Sequence, residues 1–207
     1  MDVLVRFLRT HRWARRALPA LTVALMVAAV GMLGYPFYTN LYQDRKQGQL
    51  SRQFASPKLQ AAYRNRSLQV GDALTRIKIP KLDVDVLVVE GVSAAALRAG
   101  AGHYPHSPLP CEAGNVAIAG HRTTYGKPFT NVDRLEPGDT IILETPIGSC
   151  TYEVSTAPFV TTPKDTTVVA DDPASSTLTL TSCHPKHSAK QRIIVKAKLA
   201  SGAQERT

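Results

Sequence analysis

The sequence predicts an all-β fold, either a barrel or a sandwich, that follows one N-terminal hydrophobic helix. The chain has 207 residues, which is enough for one core of ordinary size and an appendage. From Leu74 onward it alternates apolar and polar residues in seven or eight short segments, with little helical periodicity. Before that region stands one uncharged apolar run that is long enough to cross a bilayer.

The N-terminal region is predicted to be a cytoplasmic tail and a membrane anchor. Residues 1–17 form a basic tail with five arginines, and residues 18–38 contain no charged residue. About 20 uncharged residues span a bilayer as a helix, and basic residues mark the cytoplasmic side. We therefore expect a single-pass protein of the cell membrane, with a cytoplasmic N-terminus and an extracytoplasmic domain. Aromatic residues suited to the outer interface are Tyr35, Phe37 and Tyr38.

A cleaved signal peptide is the alternative interpretation of the same apolar run. Residues 27–29, with the sequence Val-Ala-Ala, form an acceptable small-residue cleavage site. The apolar run continues past that site, however, and it is longer than a signal-peptide h-region of about 7–15 residues. The sequence therefore favours an uncleaved anchor.

Residues 39–73 are predicted to form an extracytoplasmic stalk. This segment is polar, rich in glutamine and arginine, and expected to be partly helical with a break near Pro57. A stalk of this kind would lift the following domain off the membrane.

Five of the 25 basic and one of the 16 acidic residues belong to the tail, which leaves the rest of the chain with a net charge of +5. That charge suits an anionic wall or membrane surface and is too weak to indicate nucleic acid.

The predicted β-domain covers residues 74–199, and residues 200–207 form a C-terminal tail. "LTRIKIPKLDVDVLVVEGV" predicts two strands, "SAAALRAGAGHY" a short helical turn, and "GNVAIAGHR" a buried strand that ends in a loop. "DTIILET" and "CTYEVSTAPFV" are typical of a hairpin pair, and "TLTLTSC" and "QRIIVKAKL" predict the last two strands. An all-β barrel or sandwich accommodates this series of short strands.

Three chemically useful residues lie at the ends of these apolar strands. His121 follows "NVAIAG", Cys183 ends "TLTLTSC", and Arg192 opens the final strand. A nearby cation favours the thiolate of a cysteine, arginine can stabilise an oxyanion, and histidine can pass a proton to or from an amine. These three groups are sufficient for transpeptidation through a thioester. If the last two strands are neighbours, Cys183 and Arg192 lie close together, whereas the fold must bring in His121.

Other interpretations of the same residues remain open at this point. A cysteine at a strand end is commonly a small buried hydrophobe, and Arg192 could be a surface charge. Zinc is a further alternative, since Cys183 clusters with His184 and His187. The intervening Pro185 and the absence of a CxxC pair disfavour a closed four-ligand site. We expect no metal and no cofactor.

Two long motifs decide between these interpretations. "AGHRTTYGKPFTNVDRLEPGDTIIL" and "LTLTSCHPKHSAKQRIIV" closely resemble the sortases, and within them the class E type of actinobacteria. The resemblance implies a closed eight-stranded barrel in which Cys183 is the nucleophile, His121 the general acid and base, and Arg192 the oxyanion or substrate-orienting group. The family pattern TLXTC appears here with Ser182 in place of the usual threonine.

The resemblance also implies a substrate and its partners. Cys183 would cleave an LAXTG or LPXTG-like sorting signal after threonine, and a peptidoglycan precursor or stem-peptide amine would resolve the thioester and receive the surface protein. Tyr125 resembles the residue that accompanies a preference for LAXTG, so LAXTG is the expected signal. The candidate substrate-binding residues are Tyr125, Thr123, Thr181 and Ser182. The alternatives are a pilin-polymerising sortase, a cysteine hydrolase that uses water, and a non-catalytic envelope barrel that binds a peptide.

The two remaining cysteines, Cys111 and Cys150, form an even pair in a compartment outside the membrane. Disulfides form and persist in such compartments, so this pair is a possible disulfide. Two unrelated free thiols are the alternative, because the distance between the Cα atoms is not contained in the sequence.

Overall fold

The computed structural model describes residues 12–202, and the chain divides between Tyr38 and Thr39 into two compact units. Helix α1 (Arg12–Phe54) begins in the first unit and ends in the second. Its stretch Arg16–Phe54 is long and apolar enough to cross a membrane, and its most apolar part is not buried against the rest of the protein. The predicted anchor, residues 18–38, lies inside this helix, which is consistent with a membrane span. The predicted basic tail lies mostly outside the described residues.

Within the described residues, nine strands make up the β-domain of the second unit. They are β1 (Ala73–Ile79), β2 (Val84–Glu90), β3 (Ala101–His103), β4 (Gly114–Ala119), β5 (Thr140–Thr145), β6 (Gly148–Val154), β7 (Phe159–Thr161), β8 (Ser176–His184) and β9 (Gln191–Ser201). Two short helices, α2 (Pro57–Arg64) and α3 (Ala94–Ala99), accompany them, together with 3₁₀ turns at Pro80–Leu82, Val132–Arg134 and Thr167–Val169.

The strands close into a barrel because β9 has partners on both of its edges. The order is β6-β5-β1-β2-β3-β4-β8-β9, and the C-terminal part of β9 pairs with β6 to complete the ring of eight. The short β7 continues the β6 edge along the N-terminal part of β9. Two pairs, β2 with β3 and β4 with β8, are parallel. The predicted closed eight-stranded barrel is confirmed.

The barrel interior is filled by apolar side chains from alternating positions. In β5, for example, Ile141 and Leu143 are buried whereas Thr140 is exposed. Burying one such side chain stabilises the fold by about 1.5–3 kcal/mol. All six residues of β4 are buried, since its outer face is covered as well. The β4 strand therefore offers a rigid base for the loop that follows it.

The segment predicted as a stalk packs on the barrel rather than standing apart from it. Leu50 of α1 and Leu59 of α2 are buried in a second apolar cluster with Leu87 and Val89 of β2. Between the two helices the chain breaks at Ser56, whose hydroxyl accepts a hydrogen bond from the Leu59 N–H and caps α2. The physical reason for the difference is that the loosely spaced apolar residues of this segment find an apolar surface on the outer face of the barrel.

Candidate active site

The β8–β9 ladder sets Cys183 directly opposite Arg192. The two residues are Cα partners in the antiparallel register. The Cys183 thiol is free and half-buried, so it is held by the strand but remains reachable from outside. This is the proximity that the sequence predicted for neighbouring terminal strands.

The parallel β4–β8 pair brings His121 to the same level. Ala119 of β4 is registered with Thr181 of β8, so two residues further along each chain His121 is level with Cys183. Two hydrogen bonds extend the pairing past the end of β4: the Gly120 N–H donates to the Thr181 carbonyl (3.0 Å), and the Ser182 hydroxyl donates to the Gly120 carbonyl (2.7 Å). The His121 loop is therefore fastened to β8 one residue before the thiol.

The environment of His121 favours the neutral imidazole. Burial is the main cause that lowers the pKa of His121 below its ordinary value, and the positive charge of Arg98 on α3 lowers it further. The imidazole also lies against the ring of Tyr125, with centroids 5.5 Å apart and planes tilted by 33°. At neutral pH only a minor fraction of His121 is therefore expected to carry a proton on both nitrogens.

Replacing Arg98 with glutamine is expected to raise the pKa of His121. The substitution removes the cationic contribution and leaves most of the burial in place, so the pKa should rise without reaching the value of a free histidine. An NMR titration of the His121 ring in the full-length protein, assigned with a His121→Gln variant, measures the shift. An unchanged or lowered midpoint in Arg98→Gln would contradict this electrostatic account.

Arg122 is a further site residue, and it was missed by the sequence reasoning. Its guanidinium is 3% exposed and donates hydrogen bonds to the carbonyl of Cys183 (3.3 Å) and to Nδ1 of His184 (3.1 Å). It also donates to the carbonyl of Thr130 (3.2 Å) and pairs with Asp133 (2.7 Å). A buried guanidinium with this many partners holds the end of β8 and both ends of the His121 loop in one arrangement.

The only sequence signal for Arg122 was weak. Arg122 comes three residues after the end of the largely apolar segment "NVAIA", so it is close to the core, and Asp133 further along the chain offers a partner of opposite charge. The stretch "HRTTYG" nevertheless has the composition of an exposed turn, because a buried arginine is rare unless it is paired. Only the folded loop shows that the pair exists.

The Arg192 side chain reaches the loop that joins β8 and β9. Its Nη1 donates to the carbonyls of Ala189 (3.1 Å) and Gln191 (3.0 Å). These acceptors are backbone oxygens at a partly exposed position, so the guanidinium can exchange them for another acceptor at small cost. The backbone of Arg192 is thus fixed opposite Cys183 while its guanidinium remains available.

The four candidate substrate-binding residues fall into two groups. Thr181 and Ser182 are 5% and 3% exposed, and their hydroxyls are engaged with the Tyr104 hydroxyl (3.3 Å) and the Gly120 carbonyl (2.7 Å). Thr123 and Tyr125 are half-buried on the His121 loop. A ligand can therefore reach Thr123 and Tyr125 more readily than Thr181 and Ser182, whose side chains support the strand.

Cys111 and Cys150 are joined by a disulfide bond, with Cα atoms 5.6 Å apart. Both are buried in the main core, where the bond connects the loop before β4 to β6. Cys183 is left as the single free thiol of the chain.

The described part of the chain contains no group of three or more His, Cys, Asp or Glu side chains that could hold a metal ion. His184, which the zinc interpretation would need, contacts the Arg122 guanidinium through Nδ1 at 3.1 Å.

The geometry agrees with what comparison with known proteins finds. The profile described as "Sortase domain" matches residues 77–200, and the chain belongs to the sortase family. Sortase SrtE1 of Streptomyces coelicolor is 36% identical over 147 residues, which are 64% of this chain and 42% of that protein. The chain spans about half the length of the curated relatives it matches.

Solved structures give the same result. A Clostridium perfringens sortase D5 transpeptidase matches with a TM-score of 0.67 and 30% identity, over 77% of this chain and 99% of the other. Sortase E1 of S. coelicolor, solved with a tripeptide in its active site, matches with a TM-score of 0.56 and 33% identity, over 62% and 88% of the two chains. Together with SrtE1, the sortase E structures support the prediction that this chain is of class E.

Proposed function

We propose that this protein is a membrane-anchored cysteine transpeptidase that attaches surface proteins to the cell wall. One observation carries the proposal: Cys183 lies opposite Arg192 in the β8–β9 ladder while the β4–β8 register brings His121 level with both. This arrangement supports a site at one end of the barrel with a nucleophile, an acid and base, and a permanently charged cation. Family membership supports the same reaction class.

The first half of the reaction forms a thioester. The Cys183 thiolate attacks the carbonyl carbon of the threonine in the sorting signal, and the Arg192 guanidinium stabilises the oxyanion that develops. The C–S bond forms, the C–N bond to the following glycine breaks, and His121 in its protonated form donates a proton to the departing amine. The signal peptide leaves with its new N-terminus, and the surface protein remains on Cys183.

The second half reverses the bond changes with a different amine. An amine of a peptidoglycan precursor or stem peptide attacks the thioester carbonyl, so that a new C–N bond forms and the C–S bond breaks. His121 accepts the proton that the amine releases, and the thiolate of Cys183 is regenerated. The low pKa of His121 makes its protonated form scarce at neutral pH, and we therefore expect slow turnover.

The proposed substrates are surface proteins with a C-terminal LAXTG or LPXTG-like signal, with LAXTG preferred. The half-buried position of Tyr125 beside His121 supports a role in this preference, since a peptide bound near the thiol would pass the Tyr125 ring. The tripeptide in the active site of the S. coelicolor sortase E1 structure also supports peptide binding at this end of the barrel. The apolar helix supports attachment to the membrane, and the five arginines before its apolar run support a cytoplasmic N-terminus with the barrel outside.

The test is a peptide assay with the full-length protein in detergent micelles. Fluorogenic LAXTG and LPXTG peptides are incubated with and without a wall-derived amine, alongside Cys183→Ala and Tyr125→Ala. We expect an amine-linked product that depends on Cys183, faster cleavage of LAXTG than of LPXTG, and a smaller difference between the two signals in Tyr125→Ala. Cleavage that never yields an amine-linked product would indicate a hydrolase, and no cleavage of either peptide would favour the non-catalytic barrel.

A further inference from the structure

We propose that residues 39–43 of α1 form part of the active-site wall, in which Asn40 and Tyr42 act as positioning residues for His121 through Tyr125. The inference rests on the proposed function. It assigns a role in the reaction to a segment outside the matched sortase domain, residues 77–200.

The His121 loop needs support from outside because its backbone is strained. Tyr125, Gly126 and Lys127 have φ angles of 49°, 67° and 43°, three consecutive residues in the left-handed region. For a residue other than glycine this conformation costs about 1–2 kcal/mol. It persists only when the surroundings hold it in place.

Helix α1 supplies part of that support by direct contact with Gly126. The Gly126 N–H donates to Oδ1 of Asn40 at 3.3 Å. The Gln43 side chain is packed so tightly against Gly126 that a Cβ atom placed there would lie 2.2 Å from the Gln43 Oε1. The side-chain amides of Asn40 and Gln43 on α1 thus contact the loop backbone directly at Gly126.

The Tyr125 ring carries the contact onward to His121. The Tyr42 and Tyr125 rings pack edge to face, with centroids 6.1 Å apart and planes at 78°. The Arg98 guanidinium lies 5.7 Å from the Tyr125 centroid, and the His121 ring lies 5.5 Å from it. Tyr125 is therefore confined between α1, α3 and the imidazole. Tyr42 contacts Tyr125, and Tyr125 contacts His121, so the three rings form a continuous row from α1 to the imidazole.

The helix segment is itself fixed to the barrel at separate points. The Gln47 Nε2 donates to the carbonyls of Leu87 (3.0 Å) and Ala99 (2.8 Å), while its Oε1 accepts from the Leu87 N–H (2.8 Å). Further along, Oε1 of Gln53 accepts from the Ala73 N–H at 3.0 Å. These side-chain amides hydrogen-bond to backbone N–H and C=O groups of β2 and β1, as a neighbouring strand would. The helix is therefore a rigid support for Tyr125.

The experiment uses the full-length protein in detergent micelles with Tyr42→Ala, Asn40→Ala and Tyr42→Phe, and with Gln49→Ala as a matched control on the exposed side of the same helix. We measure kcat and KM for an LAXTG peptide and record the NMR signals of the His121 ring, assigned with His121→Gln. In Tyr42→Ala we expect kcat to fall about 3- to 10-fold, the range that an aromatic pair contributes, with KM changed less than about twofold. The His121 signals should move because the Tyr125 ring current changes, and Tyr42→Phe should restore both readouts.

Two results would overturn the inference. One is an unchanged kcat in both Tyr42→Ala and Asn40→Ala. The other is a fall in kcat that leaves the His121 signals in place or that Gln49→Ala reproduces, since either would reflect general stability. If the parent protein cleaves no peptide, the proposed function fails, and the NMR signals alone then decide whether Tyr42 positions His121.

Discussion

Cys183→Ala is expected to reduce cleavage of sorting-signal peptides to the rate measured without enzyme. No other free thiol is present, because Cys111 and Cys150 are bonded to each other in the core. His121 and Arg192 stay in place in this variant, but neither can form the covalent intermediate on which both halves of the reaction depend. We expect a loss on the order of 10⁴-fold or more in kcat/KM, as is usual when a nucleophile is removed from a catalytic set.

The fold should be unaffected by this change, because Cys183 is only half-buried and the hydrogen bond from Arg122 is accepted by its backbone carbonyl, which alanine retains. An unchanged circular dichroism spectrum and thermal midpoint would show that the loss is chemical. His121→Gln is the companion variant, with an expected loss of about 10²–10⁴-fold for the acid and base role. Residual turnover by Cys183→Ala within tenfold of the parent would contradict the assignment of the nucleophile.

Arg122→Met is expected to have the second largest effect, on stability and activity together. Methionine retains much of the apolar stem but leaves the carbonyls of Cys183 and Thr130 and the Asp133 carboxylate without their shared donor. Losing one partner of a buried pair costs up to about 3–5 kcal/mol. Asp133 is 42% exposed and can be rehydrated, so we expect a cost of about 2–4 kcal/mol.

Activity should fall more than stability alone would explain. The end of β8 and the His121 loop would no longer share a donor, and a misplaced acid or nucleophile lowers kcat even in folded protein. Urea unfolding measures the loss of stability. The loss of activity is measured as kcat at urea concentrations well below the unfolding midpoint, where the variant is still folded. Arg122→Lys is the control, since it keeps the charge and loses the planar fork. The free energy of unfolding and the kcat of Arg122→Lys should lie between those of the parent and of Arg122→Met. Parent-like values of both in Arg122→Met would refute the role of the guanidinium.

The strand pattern accounts for how much of the site could be predicted. The alternation in "TLTLTSC" and "QRIIVKAKL" predicts both terminal strands, and adjacent strands joined by a short loop commonly pair. Cys183 and Arg192 are therefore predicted to be neighbours, and the β8–β9 register pairs them. The position of His121 depends on a parallel pair between β4 and β8, which are far apart in sequence, so only the family resemblance could supply it.

Two further features are outside the reach of local patterns. β3 and β7 have three residues each, too few for alternation to be recognised, so they were not counted separately. The contacts of residues 39–54 depend on glutamine, asparagine and tyrosine side chains whose partners are distant in sequence, 20 residues for Gln53 and Ala73, 40 for Gln47 and Leu87, and 86 for Asn40 and Gly126. A polar composition predicts solvent exposure for such a segment, whereas its amide groups in fact bond the barrel backbone.

Trapping the covalent intermediate on Cys183 tests the proposed thioester mechanism most directly. Full-length protein is mixed with an LAXTG peptide in the absence of an amine acceptor, quenched in acid, and examined by intact-mass and peptide-mapping mass spectrometry. We predict an added mass equal to the peptide portion that ends in threonine, located on Cys183 and released by hydroxylamine. Cleavage of the peptide with no adduct on Cys183, or the same adduct in Cys183→Ala, would rule out a thioester intermediate on Cys183.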